Sequence, residues 1–159
     1  MSRFLILHLI CLTGCFGQNY QSYKEFILKS EGWRNKTYVC SKGFKTVGIG
    51  HKFEAGERVK SFYSNQEVNN FFKQDLDEAL RAAQVNFPSF SRQPYQIKLV
   101  LVSLCFNLGK NGISKFVKFR RAINNQNYTL AGSELKNSLW YKQVTGRANK
   151  YISIIQGVK

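Results

Sequence analysis

The sequence is short of acidic residues and of proline. Nine Asp and Glu stand against 24 Lys and Arg among 159 residues, so the formal net charge is +15, and there are only two Pro. Hydrophobic residues make up 43% and aromatic residues 14%, which is enough apolar material for one packed core and excludes a disordered basic tail. The length suits one domain. The charge predicts an anionic partner, and nucleic acid, an acidic membrane surface and an anionic glycan all fit it.

Long hydrophobic runs are absent except at the start of the chain. Arg3 precedes an apolar run over residues 4–16, and small residues including Gly17 follow before the sequence becomes polar. This is the order of a secretory signal, and the run is short for a membrane-spanning helix. We expect residues 1–17 to be removed as a signal peptide, which leaves residues 18–159 as one domain with no stable membrane anchor. A buried first helix and a weak anchor that is later released are the alternatives.

Cysteine is also scarce. Two of the four cysteines, Cys11 and Cys15, lie in the predicted signal, where residues 12–15 also resemble a bacterial lipoprotein box with a lipidated Cys15. Cys105 sits in an apolar stretch and is predicted to be a buried core residue, whereas Cys40 sits in a polar, turn-rich stretch. In an oxidising compartment these two could form a bridge. Two cysteines cannot supply a zinc site, and we expect no metal and no cofactor.

Hydrophobic periodicity predicts an α+β fold with the sheet near the N-terminus. Ser64 and Glu67 form a capping box that opens a long amphipathic helix, which ends before Pro88. The next helix, closed by Gly109, is apolar nearly all round and should be the most buried element. The complete prediction has helices over residues 21–30, 64–87, 97–108, 116–123 and 148–155, and short β segments over residues 37–39 and 44–49.

One acidic residue, Glu31, differs from the other eight. It follows the end of the first predicted helix, between the apolar Leu28 and Trp33, immediately before the predicted hairpin. A carboxyl group in a half-buried position can stay protonated, which a general acid requires. Periodicity alone still favours an ordinary glutamate at a helix end.

The segment over residues 30–51 changes that balance. Glu31 is followed after eight intervening residues by Cys40, after five more by Thr46, and then by the Gly-Ile-Gly-His of residues 48–51. This segment resembles the active-site segment of the phage-type lysozymes, the T-even phage lysozyme family (glycoside hydrolase family 24). The resemblance covers nearly all of the chain after the predicted signal. It continues at residues 71–77, 106–109, 140–143 and 147–148.

The resemblance implies a muramidase that cleaves the β-1,4 bond between N-acetylmuramic acid and N-acetylglucosamine in peptidoglycan. It also implies a lysozyme-like two-lobed fold, in which a long helix joins a small antiparallel sheet lobe to a larger helical lobe. Glu31 would be the general acid. Cys40 stands where the family more commonly has Asp, and a thiol is a weak base unless neighbouring lysines favour the thiolate. We expect Cys40 and Thr46 to position the attacking water, with inversion; thiolate attack with retention is the alternative.

Further residues follow from the same resemblance. Asn107, Gln143 and Arg147 are predicted to bind substrate, and Trp140 is a further candidate for the floor of the cleft, with ordinary core packing as an equal alternative. Arg147 is expected to approach the general acid from the helical lobe, where its charge would oppose the effect of burial. His51 could serve as a base, but the resemblance favours packing or pairing with Asp75.

The expected partners are bacterial peptidoglycan and the anionic bacterial surface, with no nucleic acid, and the protein is expected to be a monomer. It should be secreted, or lysosomal or phagosomal in a eukaryote and periplasmic in a bacterium. The alternative function is that of a catalytically weakened, cationic glycan-binding or membrane-active antimicrobial protein. Asn35 and Asn127 begin glycosylation sequons that matter only in a eukaryotic secretory pathway, and Asn35 lies beside the predicted site.

Overall fold

The computed structural model describes residues 10–40 and 43–158, and it confirms the α+β fold. Residues 1–9 of the predicted signal and the side chains of Cys11 and Cys15 lie outside the described residues. The strands form one antiparallel sheet in the order β1-β2-β3. The elements are α1 (Ile10–Glu31), β1 (Arg34–Val39), β2 (Lys45–Gly48), β3 (His51–Lys52), α2 (Asn65–Asn86), a 3₁₀ turn (Phe90–Arg92), α3 (Tyr95–Ser114), α4 (Val117–Asn124), α5 (Tyr128–Lys136), α6 (Leu139–Gln143) and α7 (Thr145–Gln156).

The end of α1 was predicted correctly, but its beginning was not. Gly32 has a φ of +76° and its N–H donates to the Leu28 carbonyl at 3.0 Å, which is how a glycine ends a helix. The described part of the helix runs from Ile10, so the helix is already formed well before residue 21, where the apolar stripe predicted its start. Within the described residues, no helix has both the length and the apolar character needed to cross a bilayer.

The sheet places three polar side chains side by side across its strands. Thr46 on the central strand pairs with Tyr38 of β1 on one side and with Lys52 of β3 on the other. The two predicted β segments correspond to β1 and β2. The third strand was missed because it has only two residues, too few for an alternating pattern.

Asn35 ties β1 to the chain that leads into α2. Its side-chain oxygen accepts a hydrogen bond from the indole N–H of Trp33 at 2.8 Å. Its amide nitrogen donates to the Tyr63 carbonyl and to Asn65 Oδ1, each at 2.9 Å. Both amide protons are therefore used, and a glycan on this nitrogen would replace one of them.

Helix α2 joins the two lobes, as the resemblance implies. Ser64 and Glu67 form the predicted capping box. Early in the helix, Val68 packs into a small core with side chains of the sheet region, and from Phe72 onward α2 packs into the large helical core. The small core consists of Val47, Phe53, Tyr63 and Val68.

Helix α3 is the most buried element, as predicted, but it continues past Gly109. All side chains over residues 100–105 are buried. At Gly109 the backbone leaves helical geometry (φ 68°, ψ 170°), and the helix then resumes to Ser114. Helices α5 and α6 were not predicted. The first buries only Ala131, Gly132 and Leu135, and the second has five residues, so neither shows a clear apolar period.

Cys105 is a free thiol inside this core, so the bridge to Cys40 does not form. Its side chain is fully enclosed by α3 and its neighbours. Burial raises the pKa of the Cys105 thiol to about 12, against a smaller opposing effect of Arg120. The prediction of a buried core cysteine is therefore confirmed.

Candidate active site

Glu31 is the last residue of α1, and the turn at Gly32 holds its side chain at the boundary between the lobes. The side chain is 17% exposed. Arg147 of α7, which is 16% exposed, donates from Nη1 to Glu31 Oε1 at 2.5 Å and from Nη2 to the Ser30 carbonyl at 2.8 Å. Asn107 Nδ2 donates to the same Oε1 at 3.1 Å. Two donors from the helical lobe therefore hold one oxygen of this carboxyl group.

Five of the six residues predicted for the site line one cavity of about 430 Å³ between the sheet and the helices. They are Glu31, Cys40, Thr46, Asn107 and Gln143. The sixth, Arg147, contacts Glu31 from α7, as expected, instead of lining the cavity. The remaining lining residues are Tyr38, Gly50, Lys52, Phe106, Leu108, Trp140 and Val144.

Thr46 is almost completely enclosed, with 1% of its surface exposed. Its hydroxyl donates to the Phe44 carbonyl at 3.0 Å. Since a hydroxyl has one proton and two lone pairs, the Thr46 oxygen can only accept a hydrogen bond from a molecule in the cavity. A water held by Thr46 would thus be oriented with one O–H toward it.

Among the lining residues that were not predicted for the site, Tyr38 and Lys52 bring an ionisable side chain. Burial raises the pKa of Tyr38; the nearby Arg34 charge opposes this, while Cys40 and Glu31 add to it. Tyr38 therefore stays a neutral hydrogen-bond donor over a wide pH range. The strand period was the available signal: Tyr38 precedes Cys40 by two positions, which places both on one face of β1 and its continuation.

The family model described as "Phage lysozyme" matches residues 28–153 of this chain. The matched range includes Arg147 and all residues that line the cavity at Glu31. The chain belongs to the phage lysozyme family. It is therefore an enzyme that hydrolyses peptidoglycan, of the muramidase type.

Individual relatives support the same assignment for this lysozyme. "Probable T4-type lysozyme 1" of Dictyostelium discoideum is 26% identical over 160 residues, which cover 85% of this chain and 94% of the relative. "Pre-baseplate central spike protein Gp5" of Enterobacteria phage T4 is 24% identical over 84% of this chain and 27% of its own length. "Peptidoglycan hydrolase gp36" of Pseudomonas phage phiKMV is 23% identical over 88% of this chain and 16% of its own length.

In this lysozyme His51 is occupied by a structural contact. Its Nδ1 lies 3.0 Å from both carboxylate oxygens of Asp75, and its ring stacks on Phe71 with centroids 4.4 Å apart. The pairing that the resemblance favoured is thus confirmed. The contact joins β3 to α2, and His51 is not among the residues that line the cavity at Glu31.

A second cavity of about 620 Å³ lies between α2 and α3. It adjoins the cavity at Glu31, because Gly50, Lys52, Phe106, Asn107 and Leu108 line both. Within the described ranges, no three His, Cys, Asp or Glu side chains gather in a set that could hold a metal ion.

Proposed function

We propose that this lysozyme cleaves the β-1,4 bond between N-acetylmuramic acid and N-acetylglucosamine, with Glu31 as the general acid. The observation that carries the proposal is the asymmetric environment of the Glu31 carboxyl group. Arg147 and Asn107 both donate to Oε1. A protonated carboxyl group keeps its proton on the oxygen that accepts fewer N–H donors, so Oε2 carries the proton that passes to the leaving glycosidic oxygen.

The attacking water is positioned by Thr46 and Cys40, which line the same cavity as Glu31. Thr46 accepts one hydrogen bond from the water, and Cys40 takes its proton as the oxygen attacks the anomeric carbon. The bond to the leaving oxygen breaks on the opposite face, which gives inversion. Lys36 of β1 and Lys45 of β2 lie close to Cys40 in sequence, and a positive charge beside a thiol favours its thiolate form; Lys42 lies outside the described residues.

Asn107 and Gln143 contact the sugar from the helical side of the cavity, and Arg147 contributes through Glu31. Tyr38 and Lys52 line the same cavity. Together these groups offer N–H and O–H donors on two sides of a sugar ring.

Three substitutions test the catalytic assignment on purified peptidoglycan, with released reducing ends as the readout. Glu31→Gln should lower the rate about 10²- to 10⁴-fold, which is the usual contribution of a general acid. Glu25→Gln is the matched control, since it makes the same change on an exposed face of α1. Cys40→Asp should be active and Cys40→Ala severely impaired. An active Glu31→Gln enzyme would refute the assignment.

The stereochemistry is tested separately. Proton NMR of the first-formed anomer should show inversion, whereas a retained anomer would mean that Cys40 attacks as a thiolate nucleophile. The identity of the new reducing end distinguishes a muramidase from a glucosaminidase.

The presence of Cys40 in place of Asp favours one second candidate, a weakened enzyme that acts by cationic glycan binding or by disturbing membranes. In that case the protein with the Glu31→Gln substitution would still kill bacteria. Loss of killing together with loss of sugar release assigns the antimicrobial effect to hydrolysis.

Export and surface attraction complete the proposal. Residues 1–17 are removed during secretion, and the mature monomer acts on bacterial walls in defence or digestion. The formal charge of +15, of which only the unit from Arg3 lies in the removed segment, supports attraction to anionic wall polymers, and nucleic acid is not a partner. Lysis of whole walls should therefore slow as salt is added, while cleavage of soluble oligosaccharides changes little. The mass of the exported protein tests the cleavage.

A further inference from the structure

The orientation of the Asn107 amide decides what it presents to Glu31. Trp140 Nε1 donates to Asn107 Oδ1 at 2.9 Å, and Asn107 Nδ2 donates to Glu31 Oε1 at 3.1 Å. The two ends of an amide group are nearly equal in size, so hydrogen bonds determine which end points where. A rotated amide would turn its oxygen toward the carboxyl group of Glu31.

The indole of Trp140 is itself held in place from the core. It is 4% exposed and stacks on Tyr151 with centroids 6.0 Å apart. Tyr151 is fully buried, stacks on Phe26 at 5.6 Å, and shares a 2.5 Å hydrogen bond with Ser103. The Trp140 N–H therefore has a fixed direction, set by packing that does not touch the cleft.

We propose that Trp140 is a positioning residue that acts through Asn107. Its N–H fixes the amide so that an N–H of Asn107 faces Oε1 of Glu31. This keeps Oε2 as the oxygen that carries the proton, and the inference therefore rests on the proposed role of Glu31. Tyr151 and Ser103 anchor the indole and have no direct part in the reaction.

The alternative is that Trp140 merely fills the core. A pH profile separates the two, because loss of a fixed N–H donor disfavours the charged carboxylate, so the acid form of the enzyme persists to higher pH. The other titratable groups that line the cleft are Tyr38, Cys40, Lys52 and, behind Glu31, Arg147, and none of them is hydrogen-bonded to the Trp140 indole, whose N–H donates to Asn107.

The test compares two tryptophan substitutions. Trp140→Phe removes the N–H donor but keeps an aromatic ring for the stack. Trp33→Phe is the matched control, since Trp33 also donates from its indole to an asparagine oxygen, that of Asn35, and lines no part of the catalytic cavity. Both should lower the unfolding midpoint. Only Trp140→Phe should lower kcat, by about tenfold, which is the equivalent of one hydrogen bond, while KM changes little. In the same variant, the fall in activity at high pH should begin at a higher pH than in the wild type.

A double variant confirms the route of the effect. Asn107→Ala should move the high-pH limb in the same direction, and Trp140→Phe should add no further shift in the Asn107→Ala background. An unchanged kcat and pH profile in Trp140→Phe, or a shift that adds to that of Asn107→Ala, would overturn the inference.

Two controls cover a Trp140→Phe variant that does not fold and an incorrect assignment of Glu31. If Trp140→Phe does not fold, the Trp140 indole N–H resonance should still move upfield in Asn107→Ala, and an unmoved resonance would overturn the inference. Glu31→Gln is assayed alongside. An active Glu31→Gln enzyme refutes the proposed function, whereas an inactive one with a wild-type profile in Trp140→Phe refutes only the role of Trp140.

Discussion

Replacing Arg147 by Met should lower the free energy of unfolding by about 4 kcal/mol at pH 7. The change removes the charge-assisted bond to Glu31 Oε1 and the bond to the Ser30 carbonyl. Both side chains of the ion pair are mostly buried, and loss of one partner of a buried pair costs about 3–5 kcal/mol. Asn107 still donates to Glu31 in the variant, so loss of the ion pair should cost about 3 kcal/mol, the lower limit of that range. Loss of the hydrogen bond to the Ser30 carbonyl adds about 1 kcal/mol.

A double-mutant cycle separates the energy of the ion pair between Arg147 and Glu31 from that of the hydrogen bond between Arg147 and Ser30. In a Glu31→Gln background, Arg147→Met should cost only about 1 kcal/mol, because the bond to Ser30 is then the main loss. Urea unfolding followed by tryptophan fluorescence measures all four proteins. In a domain of this size the single variant should also melt roughly 8–16 °C lower.

The matched control is Arg121→Met, which removes an exposed arginine of α4 and should change stability by less than about 0.5 kcal/mol. If Arg147→Met costs the same with and without the Glu31 carboxylate, the ion pair contributes nothing and the reasoning fails.

Three further predictions concern other parts of the fold. Gly48→Ala should lower stability by about 1–3 kcal/mol in chemical unfolding, because Gly48 has a φ of +68° and an added Cβ would lie 2.8 Å from Val68 Cγ1; a neutral result would contradict this. Hydrogen bonds from Lys60 and from the backbone and side chain of Ser64 lower the pKa of Glu67 from 4.5 to about 2, so their contribution to stability is present above pH 4.5 and disappears as the pH falls through 2. The unfolding midpoint of Glu67→Gln should therefore lie below that of the wild type at pH 6 and meet it near pH 2, and a constant difference would argue against the linkage. Cys105 should resist alkylation at pH 8 until the protein unfolds, as judged by the mass of its peptide, and labelling of the native enzyme would disprove its burial.

The elements with strong local signals could be predicted from the sequence. Helix α2 has a capping box and a regular apolar stripe, and both its ends lie within a residue or two of the prediction. Helix α5 has neither: its buried residues are small, and the side-chain cap comes from Asn127, which the sequence marks equally well as a sequon. Gly109 shows a third case, since a glycine that breaks helical geometry does not fix whether the chain turns away or starts a new helical turn.

The candidate site shows the same division. Glu31, Cys40 and Thr46 lie close together in sequence, so a segment of fixed spacing could identify them as candidates. Tyr38 and Lys52 face the cleft because the sheet registers place them on either side of Thr46, and register is a long-range property. The orientation of Asn107 by Trp140 depends on packing between helices, which no local pattern encodes.

Helix α2, which packs at one end into the small core and at the other into the large one, has a consequence for how the enzyme unfolds. A core of four residues is too small to be stable alone, so the sheet lobe depends on α2 being held by the helical lobe. The bond between Arg147 and Glu31 likewise joins the last helix to the end of α1. On the proposed role of Glu31, activity should appear only when α7 has docked, so recovery of activity during refolding would report completed folding.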